Sequence, residues 1–236
     1  MQRLTILILL ALAAATTAQE GQIDFELHDG DRVVFLGNSF FERALDYGVI
    51  ETSLALHWPQ RKITFRNLGW DGDTVFGHSR TGGRRRSVFG DPEEGFQRMI
   101  EQVHSLKSSV VFLAYGFNES FAGEDGLDAF RQGVTRLLGE ISSDKTRIVI
   151  LTPTPMEAGF GPDQSAVAKR NAVLKQYQGV LVEIATSSKH PLVDLSGLVR
   201  DSGQPYSENG IHPSAAGYQE IARQIGKQLN LPPPTL

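Results

Sequence analysis

The chain of 236 residues contains no cysteine. This absence excludes disulfide bonds, thiolate nucleophiles and zinc or iron–sulfur sites that depend on cysteine. The chain also lacks an excess of positive charge, because 23 Lys and Arg residues are outweighed by 27 Asp and Glu residues, which gives a net charge of −4. Without a positive field over the whole surface, we do not expect DNA or RNA as a partner.

Sequence signals for a metal site are missing as well. No HExxH motif occurs, and the paired spacing of a metal site is absent among His57, His78, His104 and His190. We therefore expect neither a metal nor another cofactor. Hydrophobic residues make up 40% of the chain and charged residues 21%, a balance typical of a globular protein. At this length we expect one domain rather than two small ones.

Long apolar runs are absent except at the N-terminus. There, Arg3 precedes a largely apolar stretch from Leu4 to Ala15, and the small residues Thr16-Thr17-Ala18 follow it. This order is typical of a signal peptide cleaved after Ala18, leaving a single domain over residues 19–236. A membrane anchor is the alternative, but the run is well short of the ~20 residues that a spanning helix needs. We expect a periplasmic or extracellular protein with no stable membrane insertion after cleavage.

Short apolar runs then alternate with longer amphipathic stretches, which predicts a parallel sheet with helices on both faces, a three-layer α/β/α fold. Strands are predicted at 32–36, 62–68, 109–115, 147–151 and 191–194. Helices are predicted at 44–57, 127–141 and 165–188, and from Pro213, as the first helical residue, to about 229. Two long loops, 77–95 and 153–163, leave the carboxyl side of predicted strands, where open α/β sheets bind ligands.

A serine and a histidine at opposite ends of the chain are candidates for catalysis. Gly37-Asn38-Ser39-Phe40 places a hydroxyl directly after the first predicted strand, although this tetrapeptide alone favours a helix-capping serine. His212 lies on a glycine-containing turn ahead of the last predicted helix, from which it can project toward the first strand. Paired with Ser39, it is a candidate general base, because a serine hydroxyl is unreactive near neutral pH until an imidazole accepts its proton.

Two further turns offer hydrogen-bond donors for the oxyanion that forms when an ester is attacked. The segment 67–74 follows the second predicted strand and presents the backbone N–H of Gly72. The segment 116–119 follows the third predicted strand and presents the side-chain amide of Asn118. Each turn alone favours an ordinary structural role. Together with Ser39 and His212, however, they form an ordered series in which each member lies just beyond a predicted strand or before the last helix.

This ordered series resembles the SGNH, or GDSL-like, esterase and lipase superfamily, from Val33 to about Leu229. The resemblance lies in four blocks: 37–39, 72–74, 116–119 and 209–213. It implies a flavodoxin-like sheet with strand order 2-1-3-4-5. It also implies Ser39 as nucleophile and His212 as base, with an oxyanion hole formed by the Ser39 backbone N–H, Gly72 and Asn118.

The chain departs from the superfamily pattern at two asparagines. Asn38 and Asn209 stand where the family has aspartate, and the second aspartate normally orients the histidine and stabilises its imidazolium. Three arrangements remain, in order of preference. Asn209 presents its oxygen to His212, Glu208 supplies the missing carboxylate, or the protein is a slow dyad or inactive. We therefore take Asn209 as a catalytic candidate and treat Glu208 and Asn38 as accessory candidates.

The expected function is that of an exported serine esterase that removes small acyl groups, acetyl above all, from carbohydrate. Trp70 and Phe117 are candidates for stacking on a sugar ring, and Arg84, within 84–86, for recognising an acidic substrate. For these residues, core packing and a solvated loop are the alternatives. A lysophospholipase or thioesterase, or a catalytically impaired carbohydrate-binding domain, remains as another function, because a fold does not fix a substrate.

Overall fold

A parallel five-stranded sheet forms the central layer of the computed structural model, which describes residues 25–81, 92–198 and 205–235. The strand order is β2-β1-β3-β4-β5, as the sequence predicts. The predicted signal peptide and Arg84 lie outside the described residues. The strands are β1 (Arg32–Gly37), β2 (Thr64–Gly69), β3 (Val110–Ala114), β4 (Arg147–Leu151) and β5 (Leu192–Val193).

Six α-helices within the described part of the chain connect and cover these strands. They are α1 (Ser39–Ala44), α2 (Val49–His57), α3 (Pro92–Ser105), α4 (Leu127–Ile141), α5 (Gln164–Ser188) and α6 (Ala215–Gln228). Short 3₁₀ helices occupy His78–Arg80, Glu119–Ala122 and Glu124–Gly126. The three-layer α/β/α prediction is confirmed.

Alternate strand residues build the two halves of the core. In β1, Val33 and Phe35 pack toward α1, α2 and α6, whereas Val34 and Leu36 pack toward α3, α4 and α5. All four side chains are buried. Strands buried on both faces read as continuous apolar runs, which is why the sequence reveals β1, β3 and β4 clearly.

The carboxyl ends of the first four strands lie in register. Gly37 of β1 pairs with Gly69 of β2 and with Ala114 of β3, and Ala114 pairs with Leu151 of β4. Residues that follow these four positions therefore meet at one edge of the sheet. This alignment brings together chain segments far apart in sequence, as expected for the ligand-binding edge of an open α/β sheet.

Three predictions need correction. The predicted helix 44–57 begins only at Val49, as α2, because its N-cap residue Gly48 adopts a positive φ of 61°. Pro213 is not the first residue of α6, since Ser214 caps this helix and accepts a bond from the backbone of Gly217. The predicted loop 77–95 contains a 3₁₀ turn and the start of α3, and its residues 82–91 lie outside the described residues. The predicted loop 153–163 is free of regular structure.

Within 25–81, 92–198 and 205–235, no helix combines the length and apolar character needed to cross a membrane.

Candidate active site

Ser39 is the first residue of α1 and lies directly beyond the end of β1. The preceding residue, Asn38, caps the helix, because its side-chain oxygen accepts a bond of 3.0 Å from the backbone N–H of Phe40. Asn38 is thus a buried capping residue at the cleft. This cap leaves the Ser39 hydroxyl free to face the neighbouring loop rather than satisfy the helix end.

The loop after β2 surrounds the Ser39 hydroxyl. Gly72 N–H donates to Ser39 Oγ at 3.0 Å, and Oγ donates to Asp71 Oδ1 at 2.5 Å. Gly72 has a φ of 69°, in the left-handed region that favours glycine, so this turn needs a residue without a side chain. The described residues give Ser39 Oγ these two partners and no bond to His212.

A close backbone approach holds this loop beside Ser39. A Cβ placed on Gly69 would lie 2.3 Å from Glu42 N and 2.6 Å from Phe41 C, so a larger residue would push β2 away from α1. The side chain of Asn67 donates to Phe41 O at 2.7 Å and accepts from Gly69 N at 2.7 Å. The two contacts fix the distance between the serine and the loop that follows β2.

Ser39, Asn118 and His212 line one cleft at the carboxyl edge of the sheet. The cleft has a volume of about 50 Å³, and its remaining walls come mainly from Phe40, Ala114, Tyr115, Phe117, Thr152, Pro153, Thr154, Ile211 and Pro213. The structure therefore gathers the predicted nucleophile, one oxyanion donor and the predicted base in the same cavity, with Gly72 bonded to the serine.

Asn118 is held by the backbone of the loop after β2. Its Nδ2 donates to Asp73 O at 2.7 Å. An amide nitrogen carries two hydrogens, so one remains for a ligand in the cleft. This arrangement fits the predicted oxyanion role.

A buried ion pair supports the same loop from below. Arg80 Nε donates to Asp73 Oδ2 at 2.7 Å, and both side chains have an exposed fraction of 0%. Tyr115 also donates to Asp73, while the Arg80 guanidinium reaches Leu68 O and Gln102. Removing one partner of a buried pair typically costs ~3–5 kcal/mol, because the other charge is left uncompensated. The network thus ties the loop after β2 to Tyr115 and to Gln102 of α3.

Asn209 contacts the His212 ring through its amide nitrogen, whereas the preferred expectation was a contact through its oxygen. Asn209 Oδ1 accepts the backbone N–H groups of His212 at 2.9 Å and Ile211 at 3.1 Å. These two donors fix the direction of the amide, so its nitrogen lies 2.9 Å from His212 Nδ1. Because the amide nitrogen is a donor, Nδ1 must accept, and the ring proton of neutral His212 resides on Nε2.

Glu208 does not supply the missing carboxylate in this structure. Its side chain accepts a hydrogen bond from the Tyr47 hydroxyl, and its backbone N–H donates to His212 O at 2.9 Å. The second expected arrangement is therefore also not observed. Glu208 instead ties the histidine turn to the segment between α1 and α2.

The surroundings of His212 favour its neutral form. Burial and the nearby Arg43 guanidinium lower the pKa of His212, although the Asp71 and Glu208 carboxylates act in the opposite direction. The Asn209 amide also disfavours the charged ring. A protonated His212 carries a proton on Nδ1, and that proton would face the amide hydrogens of Asn209. Neutral His212 with its proton on Nε2 is a hydrogen-bond donor to the cleft.

The two aromatic candidates occupy different places. Phe117 lines the cleft, whereas Trp70 is 46% exposed and packs with its ring centroid 5.6 Å from the Arg80 guanidinium carbon. The described residues contain no cluster of three His, Asp or Glu side chains that could hold a metal ion.

The family model for the GDSL-like lipase/acylhydrolase family matches residues 35–220. The chain belongs to this family. GDSL-like membership confirms the resemblance seen in the four sequence blocks and makes the protein a serine hydrolase acting on ester bonds. The match begins within β1 and ends in the first half of α6, and it includes every residue of the cleft.

Several solved structures share the fold of this GDSL-like chain, although their sequence identity to it is low. Axe2, an acetylxylan esterase from Geobacillus stearothermophilus, is 20% identical with a TM-score of 0.62 over 87% of this chain and 96% of its own. LAE5, an alpha/beta hydrolase from the metagenome of Lake Arreo, Spain, is 17% identical with a TM-score of 0.66, over 87% and 97%.

A gut microbial diltiazem-metabolizing enzyme is 19% identical with a TM-score of 0.65, and the alignment covers 89% of this chain. This GDSL-like chain spans 49% of that enzyme's length. No curated protein matches the sequence significantly.

Sequence reasoning missed two acidic residues of this GDSL-like site. Asp71 bonds the Ser39 hydroxyl, and Glu119 is a buried carboxylate that accepts backbone N–H groups of Val75 at 2.7 Å and Gly116 at 2.8 Å. Both lie beside predicted oxyanion residues, so adjacency to Gly72 and Asn118 was the available signal. Their contacts depend on a strand register that composition does not encode.

Glu119 predicts a pH dependence of stability. Burial raises its pKa from 4.5 to about 7, outweighing its hydrogen bonds to backbone N–H groups. Between these pH values the folded protein keeps a proton that the unfolded chain releases, so the free energy of unfolding should fall as pH rises, by about 3 kcal/mol in all. Urea unfolding from pH 4 to 8 should show this decline in the native chain and a flatter profile in Glu119→Gln. Equal slopes would contradict the assignment.

Proposed function

We propose that this GDSL-like hydrolase is an exported esterase that removes small acyl groups, acetyl above all, from carbohydrate. The observation that carries the proposal is the cleft of about 50 Å³ around Ser39. A single water requires about 10–15 Å³ of such space, so the cleft has room for a few atoms of a ligand. An acetyl group fits such a space, whereas most of a long acyl chain would extend outside it.

The site supports an acyl-enzyme route. Ser39 Oγ attacks the ester carbonyl, and the oxyanion receives hydrogen bonds from Gly72 N–H, Ser39 N–H and the remaining amide hydrogen of Asn118. Collapse of this intermediate leaves the acyl group on Ser39 and releases the alcohol. Water then hydrolyses the acyl-serine and restores the hydroxyl.

Two further features support a soluble carbohydrate ester. The exposed Trp70 ring, near the Ser39 loop, and the Phe117 ring in the cleft are suited to packing on a sugar. The similarity to an acetylxylan esterase agrees with this substrate class. Export rests on the N-terminal sequence alone.

A comparison of acyl chain lengths tests the proposal. Hydrolysis of p-nitrophenyl acetate should exceed that of p-nitrophenyl octanoate by at least about tenfold in kcat/KM, because a cleft of about 50 Å³ leaves little room for the longer chain. Ser39→Ala provides the blank, and Ser187→Ala, a change on α5 remote from the cleft, provides the matched control. Preference for octanoate would favour a lipase, and equal rates in the native and Ser39→Ala proteins would leave only a binding function.

A further inference from the structure

The bond between Asn209 and His212 removes the proton acceptor that Ser39 requires. With Nδ1 accepting from the Asn209 amide, Nε2 carries the ring proton and has no lone pair to offer the serine. Exchange of the two amide atoms would place an NH₂ group against the backbone N–H groups of Ile211 and His212, which now donate to Oδ1. The tautomer is therefore set by main-chain geometry.

A carboxylate already occupies the position of a base. Asp71 Oδ1 accepts the Ser39 hydroxyl at 2.5 Å, within the range of a short, charge-assisted O–H···O⁻ bond. Gly72 N–H approaches the same oxygen at 3.0 Å. The serine proton thus points at Asp71, and both partners of Ser39 Oγ belong to the loop after β2.

Several contacts keep Asp71 in place. Trp70 N–H donates to Gly37 O at 3.0 Å, which ties the start of the loop to the end of β1. On the other side, Asp73 N–H donates to Trp70 O at 3.1 Å, and the Asp73 side chain is held by Arg80. Asp71 therefore lies between Trp70 and Asp73, which these bonds hold in place, and its carboxylate faces Ser39.

We propose that Asp71 is the general base of this hydrolase and takes the place of the histidine–aspartate pair. This proposal rests on the proposed function, because it needs an ester substrate at Ser39. Asp71 accepts the hydroxyl proton as Oγ bonds to the carbonyl carbon. When the carbon–oxygen bond to the alcohol breaks, the protonated Asp71 returns that proton to the departing oxygen.

Deacylation uses the same carboxylate in the second half of the reaction. Asp71 accepts a proton from water as the water oxygen attacks the acyl carbon, and it gives the proton back to Ser39 Oγ as the acid leaves. Protons and bonds balance without a cofactor. His212 remains neutral throughout and contributes its Nε2–H as a donor in the cleft.

The test is the effect of Asp71→Asn in two backgrounds, the native chain and Asn209→Asp. An aspartate at 209 allows His212 to act as base, which makes Asp71 dispensable there. In the native chain, Asp71→Asn should lower kcat for p-nitrophenyl acetate by at least about 10²-fold, the usual contribution of a general base. In the Asn209→Asp background, the same change should cost less than about tenfold. Activity of the double variant also shows that the loop still folds.

Three results decide the matter. A Ser39-dependent activity that survives Asp71→Asn within threefold overturns the role of Asp71 and leaves the esterase function intact. An equal loss in both backgrounds also overturns it, because Asp71 would then be needed for loop structure rather than as the base. Activity that persists in Ser39→Ala overturns both this role and the proposed function.

Discussion

Asn209→Asp is expected to raise kcat for p-nitrophenyl acetate by ~10–10². An aspartate at this position keeps one oxygen on the backbone N–H groups of Ile211 and His212, which now bond to Asn209 Oδ1 at 3.1 and 2.9 Å. Its second oxygen replaces the amide nitrogen beside Nδ1, so the ring proton moves to Nδ1 and Nε2 becomes an acceptor. In a chymotrypsin-type enzyme the reverse change, aspartate to asparagine, costs ~10⁴ in kcat. Because Asp71 already contributes at least ~10² as general base in the native chain, the expected gain is limited to ~10².

The gain should bring a new pH dependence. Once His212 is the base, activity is lost when the ring is protonated, and the carboxylate at 209 raises the pKa of His212 above its present lowered value. The acid limb of the kcat profile should therefore follow His212. Asn209→Ala separates the tautomer from the charge, since it removes the amide that keeps the proton on Nε2 without adding a carboxylate, and it should show only a small part of the gain. An unchanged or lower kcat in Asn209→Asp would refute the tautomer argument.

Asn118→Ala should lower kcat by ~10²–10³ with KM within about threefold of the native value. The amide hydrogen not bound to Asp73 O meets negative charge that develops only in the transition state, so its loss affects the chemical step. Asn171→Ala is a matched control, because that side chain also bonds backbone groups, at Met156, but lies outside the cleft lining. Steady-state kinetics that show the same small change for both variants would remove Asn118 from the oxyanion hole.

The sequence predicts the sheet well because its strands are buried on both faces. Continuous apolar runs mark β1, β3 and β4, and the chemistry-bearing residues follow directly after strands. The strand order and the gathering of Ser39, Asn118 and His212 were predictable only with the resemblance to the GDSL-like superfamily. The short helix α1 was missed, since six residues between a strand and Gly48 carry too little periodicity to be recognised.

The roles of Asn209 and Asp71 were beyond the reach of sequence patterns. The family resemblance identifies Asn209 as a departure, but only the backbone N–H groups of the turn decide which amide atom meets the histidine. No sequence pattern marks Asp71, which precedes the block 72–74. The close approach of Gly69 to α1 nevertheless brings Asp71 against Ser39. Three-dimensional contacts thus change which residue accepts the proton.

Labelling of Ser39 by a serine-directed fluorophosphonate at neutral pH tests the central claim most directly. The reagent requires an activated hydroxyl and nearby oxyanion donors, both of which the cleft provides. Mass spectrometry should show one adduct per chain on the peptide that contains Ser39, and no adduct in Ser39→Ala. An intact native protein that stays unmodified, or modification at another serine, would contradict Ser39 as the nucleophile.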